Sequence, residues 1–516
     1  MASRILTFAL VFAGAAAPGL ARPEAVRDPA EAVRALDAAL GRAWAEAGVK
    51  PAPLASDAAY LRRVSLDLAG VVPAEERVRR FVASKRKGKR ARLVRELLAG
   101  RNAANWQARR WANLLLGRSY LLRRRPDGGS TPLVRWLQRR FLAGAPWDRV
   151  VRELLTASGA EADNGAVEYF GRWEGKPEEL AGNAMRVFQG QQVQCAQCHD
   201  HPYHEQWKQR TFWGVAAFFA RVRIRRDPDT QALSLKEAER GEVRLPGPPG
   251  QPGPVIAPRF VSGESVDPGP GAYRREELAR MLTAPGNPNF ARATVNRVWG
   301  FLFGEAFTSP DDLAKPALPE VLEDLEEDFR ASGYDLRRLL EVIVLSRAYQ
   351  ASSSGGARDR PAEVEVFARA RVRPLTAEQL WWSLDRVLDV RAALEFQAQG
   401  RAPGWARERE VALRRRFFRA FGTTEAGAEA QQSLTQALLL LNGPLTNGFL
   451  RADRSPLVAE LLGQPPARRV ERLFLRALAR LPSGGERRAL GKVQRPEALQ
   501  DVGWALLNCG EFVTNH

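Results

Sequence analysis

At 516 residues the chain is too long for one small core, and two or three domains are expected. A hydrophobic content of 45% with 27% charged residues is that of a folded globular protein and sets a disordered chain aside. Lys and Arg number 78 against 59 Asp and Glu, a formal net charge of +19 that would draw a nucleic acid, an anionic glycan or a membrane surface. Arginine and alanine are spread along the whole chain, so a solvated basic surface explains the charge without a dedicated polyanion site, and no nucleic-acid partner is expected.

Met1-Ala-Ser-Arg4 is a short positive start, followed by an apolar run over residues 5–17 and small residues to Ala21. This is the pattern of a signal peptide over residues 1–21. The run is too short to span a bilayer, and no later stretch reaches about 18 uninterrupted apolar residues. No transmembrane segment is therefore expected after processing, and a Sec-exported protein of the periplasm or the exterior is.

Apolar residues at helical spacing predict helices over 32–47 and 57–68, and a third starting near Pro73 and running to Val82. The basic run Lys85-Arg-Lys-Gly-Lys-Arg90 reads as a solvated loop before the stripe Leu93, Val94, Leu97, Leu98. Residues 227–271 change character: Pro246-Gly-Pro-Pro-Gly-Gln-Pro-Gly-Pro254 cannot sustain a helix. A small hairpin pairing 242–245 with 259–261 is expected across it. Helices resume after Tyr273, over 320–330 and 335–347, after the start signal Thr376-x-Glu378, and over 433–441, 470–481 and 500–513. The acidic residues 323–328 read as a solvated helix face, and Arg297 as a buried arginine bonded to helix ends. The fold class is mostly α: helical domains over 28–226 and 272–516, joined by a Pro/Gly-rich irregular bridge over 227–271 with minor β.

Two of three cysteines and three of four histidines lie within Cys195-Ala-Gln-Cys198-His199-Asp-His201-Pro-Tyr-His204. C-x-x-C-H is the attachment pattern of haem c: both thiols add to haem vinyl groups and His199 ligates the iron. Met185 and Met281 are the methionines beyond the leader, and neither is an obvious sixth ligand from its position in sequence. Two thiolates with two of His199, His201 and His204 would equally suit zinc or copper. A Cys195–Cys198 disulfide, with histidines in structural roles, is the third reading. Cys509 is left unpaired in all three, or partners another chain. Aromatic residues around the cluster, Phe188, Tyr203, Trp207, Phe212, Trp213, Phe218 and Phe219, would wall a haem or build a helical core. Asp200 and Glu205 could hold the second nitrogen of a ligating imidazole. No hydrolase elbow, phosphate loop or dinucleotide fingerprint is present, and whether the chain is an enzyme stays open.

Residues 60–70 (YLRRVSLDLAG), 191–202 (QQVQCAQCHDHP) and 213–219 (WGVAAFF) resemble the planctomycete secreted cytochrome-like domain family. Residues 287–292, 295–299, 332–336, 346–350 and 504–508 resemble its usual C-terminal companion, a domain of unknown function. The resemblance implies an exported, mostly helical, two-domain protein and supplies no activity. Tyr-His-Glu-Gln-Trp-Lys after Pro202 departs from the family's more frequent Asp-Lys-Trp type. No separate cytochrome module precedes these motifs, so a second redox protein is expected as partner.

Overall fold

Asp28 opens the first helix, Pro29–Glu46, with a capping box: its carboxylate accepts from Ala30 N at 2.8 Å, and the Glu31 carboxylate accepts from Asp28 N at 3.2 Å. The computed structural model describes residues 26–201, 207–247, 251–265, 273–311, 313, 315–354, 361–398, 400–421, 434–451, 453–490, 493 and 495–516. The expected signal peptide, and His204 with its neighbours Tyr203 and Glu205, lie outside them. Helices dominate, with three small antiparallel sheets among the described residues. No described helix is long and apolar enough to cross a membrane.

The two helical regions share one hydrophobic core, which runs from Ala32 to Phe512. The helix Asp57–Ala69 shows why: ten of its residues are buried, two of them consecutive arginines. Arg62 donates to Ala477 O at 2.9 Å and to Glu511 O and Phe512 O at 2.8 Å. Arg63 donates to the carbonyls of Tyr349, Ala351 and His516. Burying a guanidinium is costly unless its donors are met, and here backbone carbonyls at helix ends and turns meet most of them, leaving Arg62 Nε and Arg63 Nη2 without a partner. Asp67 on the same helix is wholly buried and accepts from Tyr349 Oη at 2.7 Å, Arg373 Nη2 at 2.9 Å and Asn515 Nδ2 at 3.0 Å. A segment near the start of the chain is thus fixed by residues from its far end.

Several expectations about local sequence are corrected. The basic run is partly structural: Lys89 and Arg90, starting the helix Lys89–Leu98, pair with Asp57 at 2.6 and 3.1 Å. The acidic helix Pro319–Ala331 is not a purely solvated face, since Glu326 and Asp328 are buried against Arg292 and Arg338 at 2.7 Å each. In the bridge, Val243–Arg244 pairs with Val255–Ile256 rather than with 259–261. Upstream, Val222–Arg226 and Leu233–Glu237 form an unforeseen hairpin, joined at its edge by Gly159–Ala160. Thr376 caps Ala377–Leu388 with Gln379 as its box partner, while Glu378 pairs with Arg118 at 2.7 Å. In Leu434–Asn442 Leu440 is buried whereas Leu438 and Leu441 are exposed.

Candidate functional site

The cysteine–histidine segment hangs from the end of the helix Pro177–Gln189. Gly190 stops that helix at φ +60°, and Leu313 lies so close that a β-carbon there would fall 2.5 Å from its Cγ. Only glycine fits this left-handed, crowded position. Leu313 N also donates to Gly190 O at 3.0 Å. Arg297, from the helix Pro288–Phe303, is buried as expected: it donates to Val187 O at 3.1 Å and to Arg186 O, and pairs with Asp311 at 2.8 Å. Burial pulls its guanidinium below the ordinary arginine range, and Asp311 opposes that pull. The C-terminal region therefore supplies the clamp on the helix that carries the motif.

After Gly190 the chain forms the short 3-10 helix Val193–Gln197, with Val193 and Ala196 buried and Cys195 exposed. Its carbonyls are held from the next helix, Gln209–Ala216: Gln209 Nε2 donates to Gln197 O at 3.2 Å and Cys198 O at 2.9 Å, and Trp213 Nε1 to Gln197 O at 3.1 Å. Asp200 accepts from Gln209 N at 2.9 Å and pairs with Lys208 at 3.3 Å. His201 N donates to Trp207 O at 2.9 Å, and its ring meets the Trp207 indole edge-on at 5.2 Å. The turn is a braced surface structure rather than a loose loop.

Cys195 and Cys198 are exposed, Cys509 is half-buried, and all three are free thiols, so the disulfide reading is not realised. His199 is exposed with Nδ1 2.7 Å from Asp200 O. The second ring nitrogen is thus met by the backbone carbonyl of Asp200, not by its carboxylate as the sequence suggested. Nδ1–H bonded to a carbonyl leaves Nε2 with the lone pair that binds a metal. Among the described residues no three His, Cys, Asp or Glu side chains gather around a point fit for one metal ion. Haem attachment makes a different demand, because the two thiols reach two vinyl groups rather than one ion, and only one imidazole meets the iron.

Beside the turn lies a cleft of about 560 Å³, within the usual range for small-molecule sites. Its lining includes Gln189, Gln191, Trp207, Phe260, Met281 and Leu313. Sequence reasoning missed it, because its walls come from residues flanking the motif, from the bridge and from the C-terminal region. Met281 faces this cleft, whereas Met185 is fully buried in the core. Of the described aromatic residues near the cluster, Phe188, Phe212, Phe218 and Phe219 are core, and Trp207 lines the cleft.

Residues 35–224 match the family model for PSCyt2, a protein of unknown function (DUF1549), and residues 274–493 match that for PSD1, also a protein of unknown function (DUF1553). No curated protein and no solved structure matches the chain. The two matches stand in N-to-C order along the chain, the PSCyt2 domain of unknown function and then the PSD1 domain of unknown function.

Proposed function

We propose that the protein is an exported c-type cytochrome with a single haem, working in redox or electron transfer outside the cytoplasm. The observation that carries this reading is the state of the C-x-x-C-H turn: two exposed free thiols beside an imidazole whose Nδ1 is engaged by a backbone carbonyl. Exposure lets an attachment apparatus reach both sulfurs. Cys195 and Cys198 would each add S–H across a vinyl group to give a thioether, and His199 would offer Nε2 to the iron. When bound, the haem supplies reversible one-electron chemistry. The bonds from Gln209 and Trp213 keep the turn from collapsing, so little ordering is left to be done when the group attaches. The leader-like residues 1–21 support export, and an exposed site suits a separate redox protein as electron partner.

Co-expression with a bacterial haem-attachment apparatus tests the reading. The purified protein is expected to be pink, and the tryptic peptide containing Cys195 and Cys198 is expected to carry the mass of one haem. A Cys195→Ala/Cys198→Ala variant is expected to be colourless. A colourless wild-type protein whose motif peptide shows only free or disulfide-linked thiols would overturn the proposal.

A further inference from the structure

The helix Trp405–Phe421 has two unlike faces. Leu413, Phe417, Phe418 and Phe421 are buried and tie one face to the core. The other face carries Arg407, Arg409, Arg415, Arg416 and Arg419, all exposed. Among the described residues none of these five guanidiniums has an ion-pair or hydrogen-bond partner, whereas Arg414 on the flank pairs with Glu410 at 3.9 Å. Glu408 is the one acid on the exposed face, since Glu410 is taken up by Arg391 and Arg414. Like charges three and four residues apart repel, so Arg419 with Arg415 and with Arg416 weakens the helix. The helix dipole offsets this for a cation in the last turn, which is Arg419, and not for Arg407 or Arg409. Nothing in the described fold uses these charges, and a bound polyanion would relieve the repulsion.

The shape and chemistry of the face narrow the class of polyanion. Arg407, Arg415, Arg416 and Arg419 line an open groove of about 870 Å³, in which Ala412 leaves room between the longer side chains. From Arg407 to Arg419 the helix rises roughly 18 Å, too far for one phosphate or carboxylate to serve and well suited to a chain of repeated charges. Guanidinium forks take carboxylate or sulfate oxygens two at a time. A bilayer is a poor match, because a helix lying in its surface sinks its apolar side there and this helix spends that side on the core. Single-stranded nucleic acid is held largely by bases stacking on aromatic side chains. Trp405 is the one aromatic of this helix that is not buried, and the Arg401 guanidinium already lies 4.7 Å from the centre of its ring. We propose that the exposed face of Trp405–Phe421 binds an acidic polysaccharide, a linear chain of sugars bearing carboxylate or sulfate groups, through Arg407, Arg415, Arg416 and Arg419. This binding draws nothing from the haem reading.

The test titrates the full chain with heparin, polygalacturonate, uncharged dextran, an oligothymidylate and phosphatidylglycerol vesicles at about 0.15 M salt. Because the whole chain is basic, two variants of equal charge are compared. Arg415→Gln/Arg416→Gln/Arg419→Gln empties the groove. Arg80→Gln/Arg92→Gln/Arg139→Gln removes the same charge from exposed arginines of three other helices, Glu75–Ala83, Lys89–Leu98 and Pro132–Leu142. All six side chains are exposed, and circular dichroism checks that both variants are folded. Heparin or polygalacturonate is expected to bind the wild type and dextran is not, and the tighter of the two polymers tells sulfate from carboxylate. Affinity is expected to fall at least about tenfold in the groove variant, a few-fold for each exposed charge-assisted contact, and less than about twofold in the scattered one. Equal losses in the two variants would mean attraction to net charge alone and would overturn the proposal. So would no binding of either acidic polymer, equal binding of dextran, or tighter binding of the oligothymidylate or the vesicles that is lost in the groove variant.

Discussion

Replacing Asp67 by Asn changes one charge and no volume, at the point where the two regions are joined. The carboxylate is wholly buried and receives Tyr349 Oη, Arg373 Nη2 and Asn515 Nδ2, with Arg110 Nη2 3.7 Å away. Burial together with the Asp67 charge holds the Tyr349 hydroxyl protonated far above its usual range, so it remains a donor at every accessible pH. Asn keeps one acceptor oxygen and turns an NH2 toward donors. About two bonds to a charged group are then lost, each about 1.5–3 kcal/mol. The Arg373 and Arg110 guanidiniums also lose the buried carboxylate they face, and breaking such a pair costs about 3–5 kcal/mol. These are two views of one loss, and the expected destabilisation is about 3–5 kcal/mol, a large part of the roughly 5–15 kcal/mol that holds a typical domain folded. Urea unfolding followed by circular dichroism measures it. Tyr349→Phe alone is expected to cost about 1.5–3 kcal/mol, and markedly less in the Asp67→Asn background because the partner is already compromised. A loss below about 1 kcal/mol for Asp67→Asn, or strict additivity of the two changes, would refute the hub.

A fragment ending at residue 226 is expected not to fold alone, since Arg62 and Arg63 lose every carbonyl named above; a cooperative unfolding transition from that fragment would contradict the shared core. Gly190→Ala places a methyl 2.5 Å from Leu313 Cγ at a left-handed φ, and a cost of about 1–3 kcal/mol in thermal unfolding is expected, with none at the solvent-facing Gly485. Arg480 and Ser483 pull the Glu486 carboxyl down to about 2. A depressed carboxyl stabilises above its unfolded pKa, so Glu486→Gln is expected to cost about 0.5–1 kcal/mol at neutral pH after solvent screening. That difference shrinks as pH falls from the ordinary carboxylate range toward 2, and a constant gap across that range in pH-dependent unfolding would count against the pairing. In native protein without haem, a maleimide is expected to label Cys195 and Cys198 fully before Cys509, which is half-buried with its Sγ 3.2 Å from Leu506 O; equal labelling rates by mass spectrometry would argue against the exposed turn.

Helices were legible wherever a 3.6-residue stripe met a start signal, as over Pro29–Glu46 and Asp57–Ala69. The hairpin at 222–237 left a weaker trace. Val222 and Ile224 alternate with Arg223, Arg225 and Arg226, a period of two that the arginine-rich background conceals, and the turn rests on Asp227 accepting from Asp229 N, Thr230 N and Thr230 Oγ1. Charged runs misled for one reason. A run such as 85–90 or 323–328 reveals its own charge but not its partner's position, and here the partners, Asp57, Arg292 and Arg338, come from other helices. Burial of ion pairs is a tertiary fact that no local window contains.

The residues of the candidate site were legible and their support was not. Cys195, Cys198 and His199 stand out by type and spacing alone, because thiol and imidazole are rare in this chain. Gln209 and Trp213 hold the turn from nearby, but the helix it hangs from is fixed from far along the sequence. Arg297 holds the carbonyls that end the preceding helix, Leu313 seals Gly190, and Phe260 and Met281 complete the cleft wall. None of these is marked by a motif of its own, since an arginine on carbonyls or a leucine on a glycine looks like any core residue until the chain is folded. The order PSCyt2 then PSD1 acquires a physical sense from this: the first region carries the cysteine–histidine turn and the second immobilises the helix from which it hangs. A free C-x-x-C-H peptide would pay the full ordering entropy to present two sulfurs and an imidazole together, whereas a turn braced from both regions has met that cost in folding.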